Sequence, residues 1–309
     1  MASGSSERAL ARAWDSDIAY SFRSSPLTMA AAAFTALYLL GAMLAPWIAP
    51  QDPFDLKQLD LLNAFLPPVW EVEGKAGFLL GADDQGRDVL STILYGSRVS
   101  LLVGFASVVL AMLLGIGLGL ISGYAGGAVD AFIMRVADVQ LSFPAILIAL
   151  LIDGVTRGLI SAQRHEELAV FVLVISIGLS FWVQYARTVR GLVLVEKNKE
   201  YVLAARVIGL PPALIMLRHV LPNVLGPVLV IATINLGVAI ITEATLSFLG
   251  VGVPSTQPSL GTLIRIGNDY LFSGEWWITI FPGAALALLV LAVNLLGDWL
   301  RDALNPKLH

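Results

Sequence analysis

The chain has 309 residues, of which 57% are hydrophobic and only 14% are charged, and its mean hydropathy is +0.80. Soluble domains carry about 25% charged residues, so this composition excludes an ordinary soluble protein and indicates a membrane protein. The net charge of −4 says little, because in membrane proteins the placement of charge matters more than its sum. The absence of cysteine excludes disulfides and cysteine metal sites.

Six apolar segments are long enough to cross a bilayer, which takes about 20 apolar residues. They lie at 27–49, 99–123, 132–152, 168–189, 223–249 and 278–297. Backbone groups in lipid must bond to one another, and the segments lack the alternation of barrel strands, so we expect helices. The predicted fold class is therefore an all-α integral membrane protein with six transmembrane helices.

The segment between the first two spans, 50–98, is acidic and rich in proline, which predicts loops and turns. A polar cluster near its end contains Asp83, Asp84, Gly86, Arg87 and Asp88. As a carboxylate site, the cluster would bind a cation or a peptide amino terminus. As a structural unit, it would cap and pair the beginning of the next helix, and we favour this interpretation.

Glycines recur every four residues at the end of the second span. They are Gly115, Gly119, Gly123 and Gly127. This spacing predicts that the span approaches a neighbouring helix closely. Just beyond it, we expect Asp130, Arg135 and Asp138 to form an internal ion-pair network near the cytoplasmic face.

Charge placement predicts the orientation of the chain. Six basic and two acidic residues lie in 187–222, whereas eight acidic and four basic residues lie in 50–98. The positive-inside rule places the first segment in the cytoplasm and the second outside. With six spans, both termini are then cytoplasmic. The predicted parts are a leader at 1–26, a first span at 27–49, an external segment at 50–98, a core of five spans at 99–297 and a tail at 298–309.

The polar stretch 198–222, which we name the coupling segment, lies between the fourth and fifth spans. Its periodicity predicts a short helix whose face carries Tyr201, Ala204, Ala205 and Ile208. Gly209 is expected to end this helix in a left-handed conformation, and Pro212 to begin a second one. The pattern alone leaves two interpretations open, a docking surface for a partner and a helix that lies on the membrane surface. The residues assigned to the docking surface are Glu200, Tyr201, Ala204, Ala205, Arg206, Gly209, Leu221 and Pro222.

The fifth span contains one ionisable side chain, Glu243, and ionisable groups inside membranes are functional candidates. Glu243 either lines a translocation pathway or is solvated at the outer mouth and pairs with Arg265. Asn235 in the same span either lines that pathway or forms hydrogen bonds between helices.

The sequence contains no phosphate-binding loop, because none of its five lysines has the required glycine context. The three histidines are far apart, and His165-Glu166-Glu167 lacks the second histidine of a zinc-protease motif. We therefore expect no ATP hydrolysis, no catalytic residues and no metal site in this chain.

Four segments resemble the C-type permeases of dipeptide, oligopeptide and nickel ABC importers. Segment 80–91 resembles their LGTDxxGRD signature, and the coupling segment resembles their cytoplasmic EAA signature, with Leu203 in place of the usual glutamate. The other two are the glycine-rich turn with the Ser-Phe-Pro kink that follows it, and the end of the chain at 294–307. The resemblance extends from about residue 26 to 307.

This resemblance implies a type I (MetI-like) importer permease in the bacterial inner membrane that moves di- or oligopeptides. It implies a heterodimer with a B-type permease, two cytoplasmic ATPases that bind ATP and Mg, and an extracytoplasmic substrate-binding protein. The 83–88 cluster would be a scaffold at the external mouth. No cofactor of its own and no nucleic acid is expected.

The main alternative is a secondary transporter or channel subunit, which would use an ion gradient and need no motor. Glu243 is the only carboxylate well inside an assigned span, which gives a proton relay little support. The cargo stays open among dipeptides, longer peptides, glutathione, nickel complexes and haem.

Overall fold

The computed structural model describes residues 17–55, 57–254 and 256–303, with side chains from residue 20 onward. The ends of the predicted leader and tail, 1–16 and 304–309, lie outside the described residues. The described chain is helical. Its α-helices in chain order are α1 Asp17–Ser24, α2 Pro26–Met43, α3 Ala45–Ile48, α4 Val89–Ala125, α5 Gly127–Leu141, α6 Ala145–Leu159, α7 Ala162–Glu196, α8 Glu200–Val207, α9 Pro212–Ile215, α10 Leu221–Phe248, α11 Leu260–Asn268 and α12 Trp277–Ala303.

Within the described residues, five helical segments are long and apolar enough to cross a membrane, and the bent pair α5 and α6 makes a sixth when counted as one span. The all-α membrane fold is thus confirmed. The third predicted span, 132–152, contains the Ser-Phe-Pro kink of the sequence analysis, and the helix bends there, because α5 and α6 meet at 93°. The break falls at Pro144, whose ring removes a backbone donor and disfavours helical conformation at Phe143.

Two helices pack at backbone distance along the predicted glycine positions. A Cβ atom on Gly115 would lie 2.3 Å from the Cβ of Tyr185, and one on Gly119 would lie 2.6 Å from the carbonyl oxygen of Ala186. A Cβ on Gly123 would lie 2.8 Å from the Cβ of Val193. The prediction of close packing between α4 and α7 is therefore confirmed for these three glycines. The fourth, Gly127, has nothing within 4 Å of its Cβ position.

The helix of the fifth predicted span, 223–249, begins earlier than predicted. Helix α9 continues through a π-helical turn, Met216–Val220, into α10, so that one helical span runs from Pro212 to Phe248. The π turn inserts an extra residue without ending the helix. The second half of the coupling segment, from Pro212 onward, and the fifth span are therefore parts of one continuous element.

The side that the charge pattern predicts to be external carries a short helix, α11, that the sequence analysis did not predict. Ser259 caps it, because its hydroxyl oxygen accepts a hydrogen bond from the Thr262 N–H at 3.3 Å. Leu260 and Leu263 of α11 are buried against Trp277 and Val89. The external loops therefore have a small apolar core of their own, which rests on the outer ends of α4 and α12.

Candidate functional site

The coupling segment folds as two short helices joined at a glycine. Helix α8 ends at Val207, and Gly209 has a φ of +84°, which is the left-handed conformation predicted for it. Pro212 begins α9, where its missing N–H costs nothing. The predicted local structure is confirmed.

The inner face of the coupling segment packs on the chain's own core. Val202, Ala205 and Ile215 are buried in the main hydrophobic cluster. This corrects the predicted docking face for Ala205, which is 4% exposed and contacts this chain. A two-turn helix must bury one face to be stable, and the i, i+3 pair of Val202 and Ala205 supplies it. Leu221, also assigned to docking, is partly buried against the same cluster.

The outer face of α8 is apolar and exposed. Val207 is 88% exposed, Ile208 77% and Leu203 44%. Ala204 is exposed beside them, as predicted. Contiguous exposed apolar side chains mark interaction surfaces in a folded protein. We name Leu203, Ala204, Val207 and Ile208 the outer patch.

Polar contacts hold α8 on the rest of the chain. The Tyr201 hydroxyl donates to the Glu196 carboxylate and accepts from the Asn223 side-chain amide at 3.0 Å. Burial and the bond to Glu196 raise the pKa of Tyr201 to about 12, so the phenol stays protonated. The Arg206 guanidinium lies 4.9 Å from the Tyr124 ring centroid. Tyr201 and Arg206, both assigned to docking, thus also anchor the segment internally.

The remaining residues assigned to docking, Glu200 and Pro222, are exposed. Ion pairs join α5 to α7 near the same end of the molecule. Asp130 accepts two hydrogen bonds from Arg190, at 2.5 and 2.6 Å, and Asp138 pairs with Arg187 at 2.5 Å. The predicted network therefore exists for Asp130 and Asp138, with partners that the sequence analysis did not name. No ion pair of Arg135 is found among the described residues.

On the opposite side, residues 82–88, which we name the external block, form a paired and capped helix start. Arg87 Nε lies 2.6 Å from Asp83 Oδ2, and both side chains are 3% exposed. Asp88 caps α4 through Oδ2, which accepts from the Ser91 N–H at 2.7 Å. Gly86 has a φ of +73°, and a Cβ there would lie 2.3 Å from the carbonyl oxygen of Asp60.

The external block is tied to the last span and to the turn that follows α11. Trp277 Nε1 donates to the Ala82 carbonyl at 3.0 Å, and the Tyr270 hydroxyl lies 3.5 Å from Asp84 Oδ2. Burial raises the pKa of Asp84 and of Asp88 above the ordinary aspartate value. The external block has the geometry of the structural interpretation, because Asp83 pairs with Arg87 and Asp88 caps the beginning of α4.

Glu243 lies in the interior, between α4, α10 and the external loop. Its side chain is fully buried, and its two carboxyl oxygens accept from the Ser100 and Ser247 hydroxyls at 2.7 Å each. Ser100 in turn accepts from the Leu260 N–H at 3.2 Å, at the first residue of α11. A solvated carboxylate paired with Arg265, one of our two expectations, is therefore wrong.

Asn235 is also buried, at 5% exposure. The pathway-lining role of Asn235 and Glu243 stays a prediction, which their burial in this chain does not favour. In the described part of the chain, no group of three or more His, Cys, Asp or Glu side chains could hold a metal ion. A set of polar residues that the sequence analysis did not assemble, around His165 and Arg265, lines an external cavity and is described below.

Two family descriptions match the chain. Residues 115–309 match the family described as "Binding-protein-dependent transport system inner membrane component". Residues 13–68 match the "N-terminal TM domain of oligopeptide transport permease C". The first match alone covers more than half of the chain.

Several named permease proteins are similar to this chain over most of their length. The di/tripeptide transport system permease protein DppC of Pseudomonas aeruginosa is 40% identical over 276 residues, which is 89% of this chain and 86% of that protein. The dipeptide transport system permease protein DppC of Escherichia coli is 40% identical over 89% of this chain and 87% of its own. The oligopeptide transport system permease protein OppC of Bacillus subtilis is 36% identical over 93% and 88%.

Solved structures of an inward-facing methionine ABC transporter, MetNI, share the fold. One chain aligns with a TM-score of 0.53 and 20% identity over 69% of this chain and 96% of its own length. A second crystal form aligns with a TM-score of 0.51 and 18% identity over 67% and 93%. At this identity the likeness concerns the fold, which is the predicted MetI-like architecture. From its sequence matches, the chain belongs to the binding-protein-dependent transport system inner membrane components, among the permeases of peptide ABC transporters.

Proposed function

We propose that this chain is the permease subunit of an ATP-driven importer that moves di- or oligopeptides through the inner membrane. In this proposal, two partner ATPases, which bind ATP and Mg, act on the coupling segment from the cytoplasm. A B-type permease forms the second half of the membrane unit, and a substrate-binding protein delivers the cargo outside. Both termini then face the cytoplasm, as the basic residues of 187–222 favour.

The observation that carries the proposal is the division of the coupling segment into two faces. The inner face is buried in the core through Val202 and Ala205, whereas Val207 and Ile208 of the outer patch are almost fully exposed. A lone loop helix gains nothing by exposing these side chains to water, since each buried apolar side chain contributes about 1.5–3 kcal/mol. The outer patch therefore fits a surface that a partner covers.

The rival function, a gradient-driven carrier, needs titratable groups that reach a water-filled path. Glu243 bonds to two serine hydroxyls and is closed off from solvent. It supports an internal structural role better than a proton relay. The permease names of the relatives also favour the importer.

Co-purification tests the proposal most directly. The tagged full-length chain, extracted from native membranes in mild detergent, is expected to bring down ATPase chains and a second permease, identified by mass spectrometry. The complex should hydrolyse ATP faster with a loaded binding protein. Isolation of an active chain alone, with uptake driven by an ion gradient, would contradict the proposal.

Gly209 offers a sharper test of coupling. Nothing lies within 4 Å of a Cβ at this position, so a substitution acts only through the left-handed backbone. Gly209→Val is expected to lower peptide uptake per ATP hydrolysed at least tenfold in proteoliposomes, because a β-branched residue resists φ of +84°. Gly209→Asn should stay close to wild type, since asparagine tolerates this conformation. Normal coupling in Gly209→Val would argue against the assignment.

A further inference from the structure

A cavity of about 350 Å³ opens on the external side, in the size range of small-ligand sites. Its walls come from the end of α6, the beginning of α7, the turn at 250–254 and α11. The side chains that matter most are Arg157, His165, Glu166, Thr262 and Arg265. None of these was assigned to a site by the sequence analysis, and only Arg265 was named as a partner of Glu243.

One wall is a buried polar cluster. Asp153 is 3% exposed and pairs with Arg157, whose Nε lies 2.6 Å from Asp153 Oδ2. His165 Nε2 lies 3.1 Å from Asp153 Oδ1, without the geometry of a hydrogen bond. His165 is 95% buried, and neither of its ring nitrogens has a hydrogen-bond partner. A buried polar atom without a partner is costly, and a bound ligand would supply the missing hydrogen bond.

Two opposite charges line the same cavity without pairing. In the described part of the chain, neither Glu166 nor Arg265 forms an ion pair or a hydrogen bond. Gly250 makes room for Arg265, because a Cβ at Gly250 would lie 2.7 Å from the guanidinium Nη1. Thr262 Oγ1 donates to the Val253 carbonyl at 3.2 Å, which fixes α11 on the turn. The cavity wall therefore presents one cationic and one anionic side chain to a ligand.

We propose that this cavity binds the two charged ends of a short peptide at the outer face of the permease. Arg265 binds the terminal carboxylate, a pairing that guanidinium geometry favours. Glu166 binds the terminal ammonium group, and a ring nitrogen of His165 hydrogen-bonds a polar atom of the peptide between them. A zwitterion of two or three residues is the ligand class that presents both charges, one at each end of a short chain. The inference rests on the proposed function and adds a recognition step within this subunit.

The test uses the complete importer in proteoliposomes, with the binding protein saturated in advance by each peptide. The substrates are one unmodified dipeptide, its C-terminal amide and its N-acetyl form. Arg265→Gln is expected to lower uptake of the unmodified dipeptide about tenfold and to leave uptake of the amide unchanged. Glu166→Gln is expected to lower uptake of the unmodified dipeptide about tenfold and to leave uptake of the N-acetyl form unchanged. All four exchanged side chains, controls included, are exposed, so folding should be preserved.

The matched controls, Arg164→Gln and Glu167→Gln, lie outside the cavity on α7, the helix that carries Glu166. They remove one positive and one negative charge near the cavity and should leave all three uptake rates unchanged. The inference is overturned if the cavity variants behave like these controls, or if they slow every peptide equally. It is also overturned if they weaken only the affinity for the binding protein, which would make the cavity a docking surface. Failure of the proposed function looks different, because the wild-type complex itself would then show no ATP-driven uptake.

Discussion

The external block buries charged side chains, whereas the coupling segment exposes apolar ones. In the external block, an aspartate and an arginine are both 3% exposed and pair with each other. In the coupling segment, Val207 and Ile208 are 88% and 77% exposed, and no partner covers them in this chain. The first region pairs its buried charges within this chain, and the second leaves apolar side chains that no part of this chain covers. Burial and pairing, rather than polarity, are therefore what separate the proposed scaffold from the proposed docking surface.

The largest expected effect is on the external block. Asp83→Asn removes the carboxylate that pairs with the buried Arg87 guanidinium, and the loss of one member of a buried pair costs about 3–5 kcal/mol of folding free energy. Unfolding of the purified chain in detergent, followed by tryptophan fluorescence, measures it. Glu73→Gln, an exposed change in the same external segment, should shift the midpoint very little. Equal midpoints for the two variants would show that the block is not a scaffold.

The next effect separates the two faces of α8. Val207→Glu puts a charge into the outer patch, and we expect at least tenfold weaker ATPase binding with a folding free energy within about 0.5 kcal/mol of wild type. Val202→Glu, five residues earlier and fully buried, should instead destabilise the chain itself. Quantitative pull-down and detergent unfolding report the two quantities. Destabilisation by Val207→Glu would remove the contrast between the faces.

The smallest effect concerns Leu203, where the related signature has glutamate. Leu203 is 44% exposed, at the edge of the outer patch, so Leu203→Glu should weaken ATPase binding by no more than about fivefold, or about 1 kcal/mol. Leu203→Gln, of equal size and without charge, isolates the charge contribution. A loss of a hundredfold or more would move Leu203 to the centre of the docking surface.

Much of the fold follows from the sequence because lipid allows few backbone solutions. Runs of about 20 apolar residues had to become helices, and Gly209 and Pro212 had to mark a turn in the coupling segment. The Ser-Phe-Pro sequence indicated a kink, but its angle of 93° did not follow, since hydropathy does not record the direction in which a chain leaves a proline. Ala205 was placed on the docking face because periodicity identifies an apolar stripe without telling which protein covers it.

The external cavity was beyond sequence reasoning for a different reason. Asp153, His165 and Arg265 lie on three elements, α6, α7 and α11, and only tertiary packing brings them near one another. One local signal was available for α11, namely Ser259 followed by an apolar run, which is a helix-cap pattern. The two ring nitrogens of His165 that have no hydrogen-bond partner leave no trace in the sequence at all.

One continuous helical span, from Pro212 to Phe248, connects the two ends of the molecule. Its 37 residues span about 55 Å at 1.5 Å per residue. The inner end carries the edge of the coupling segment, and the outer end leads to Gly250 beside the cavity. Thermodynamic reciprocity then sets a strict condition on the importer: if cargo in the cavity tightens ATPase binding by some factor, ATPase binding must tighten the hold on cargo by that same factor.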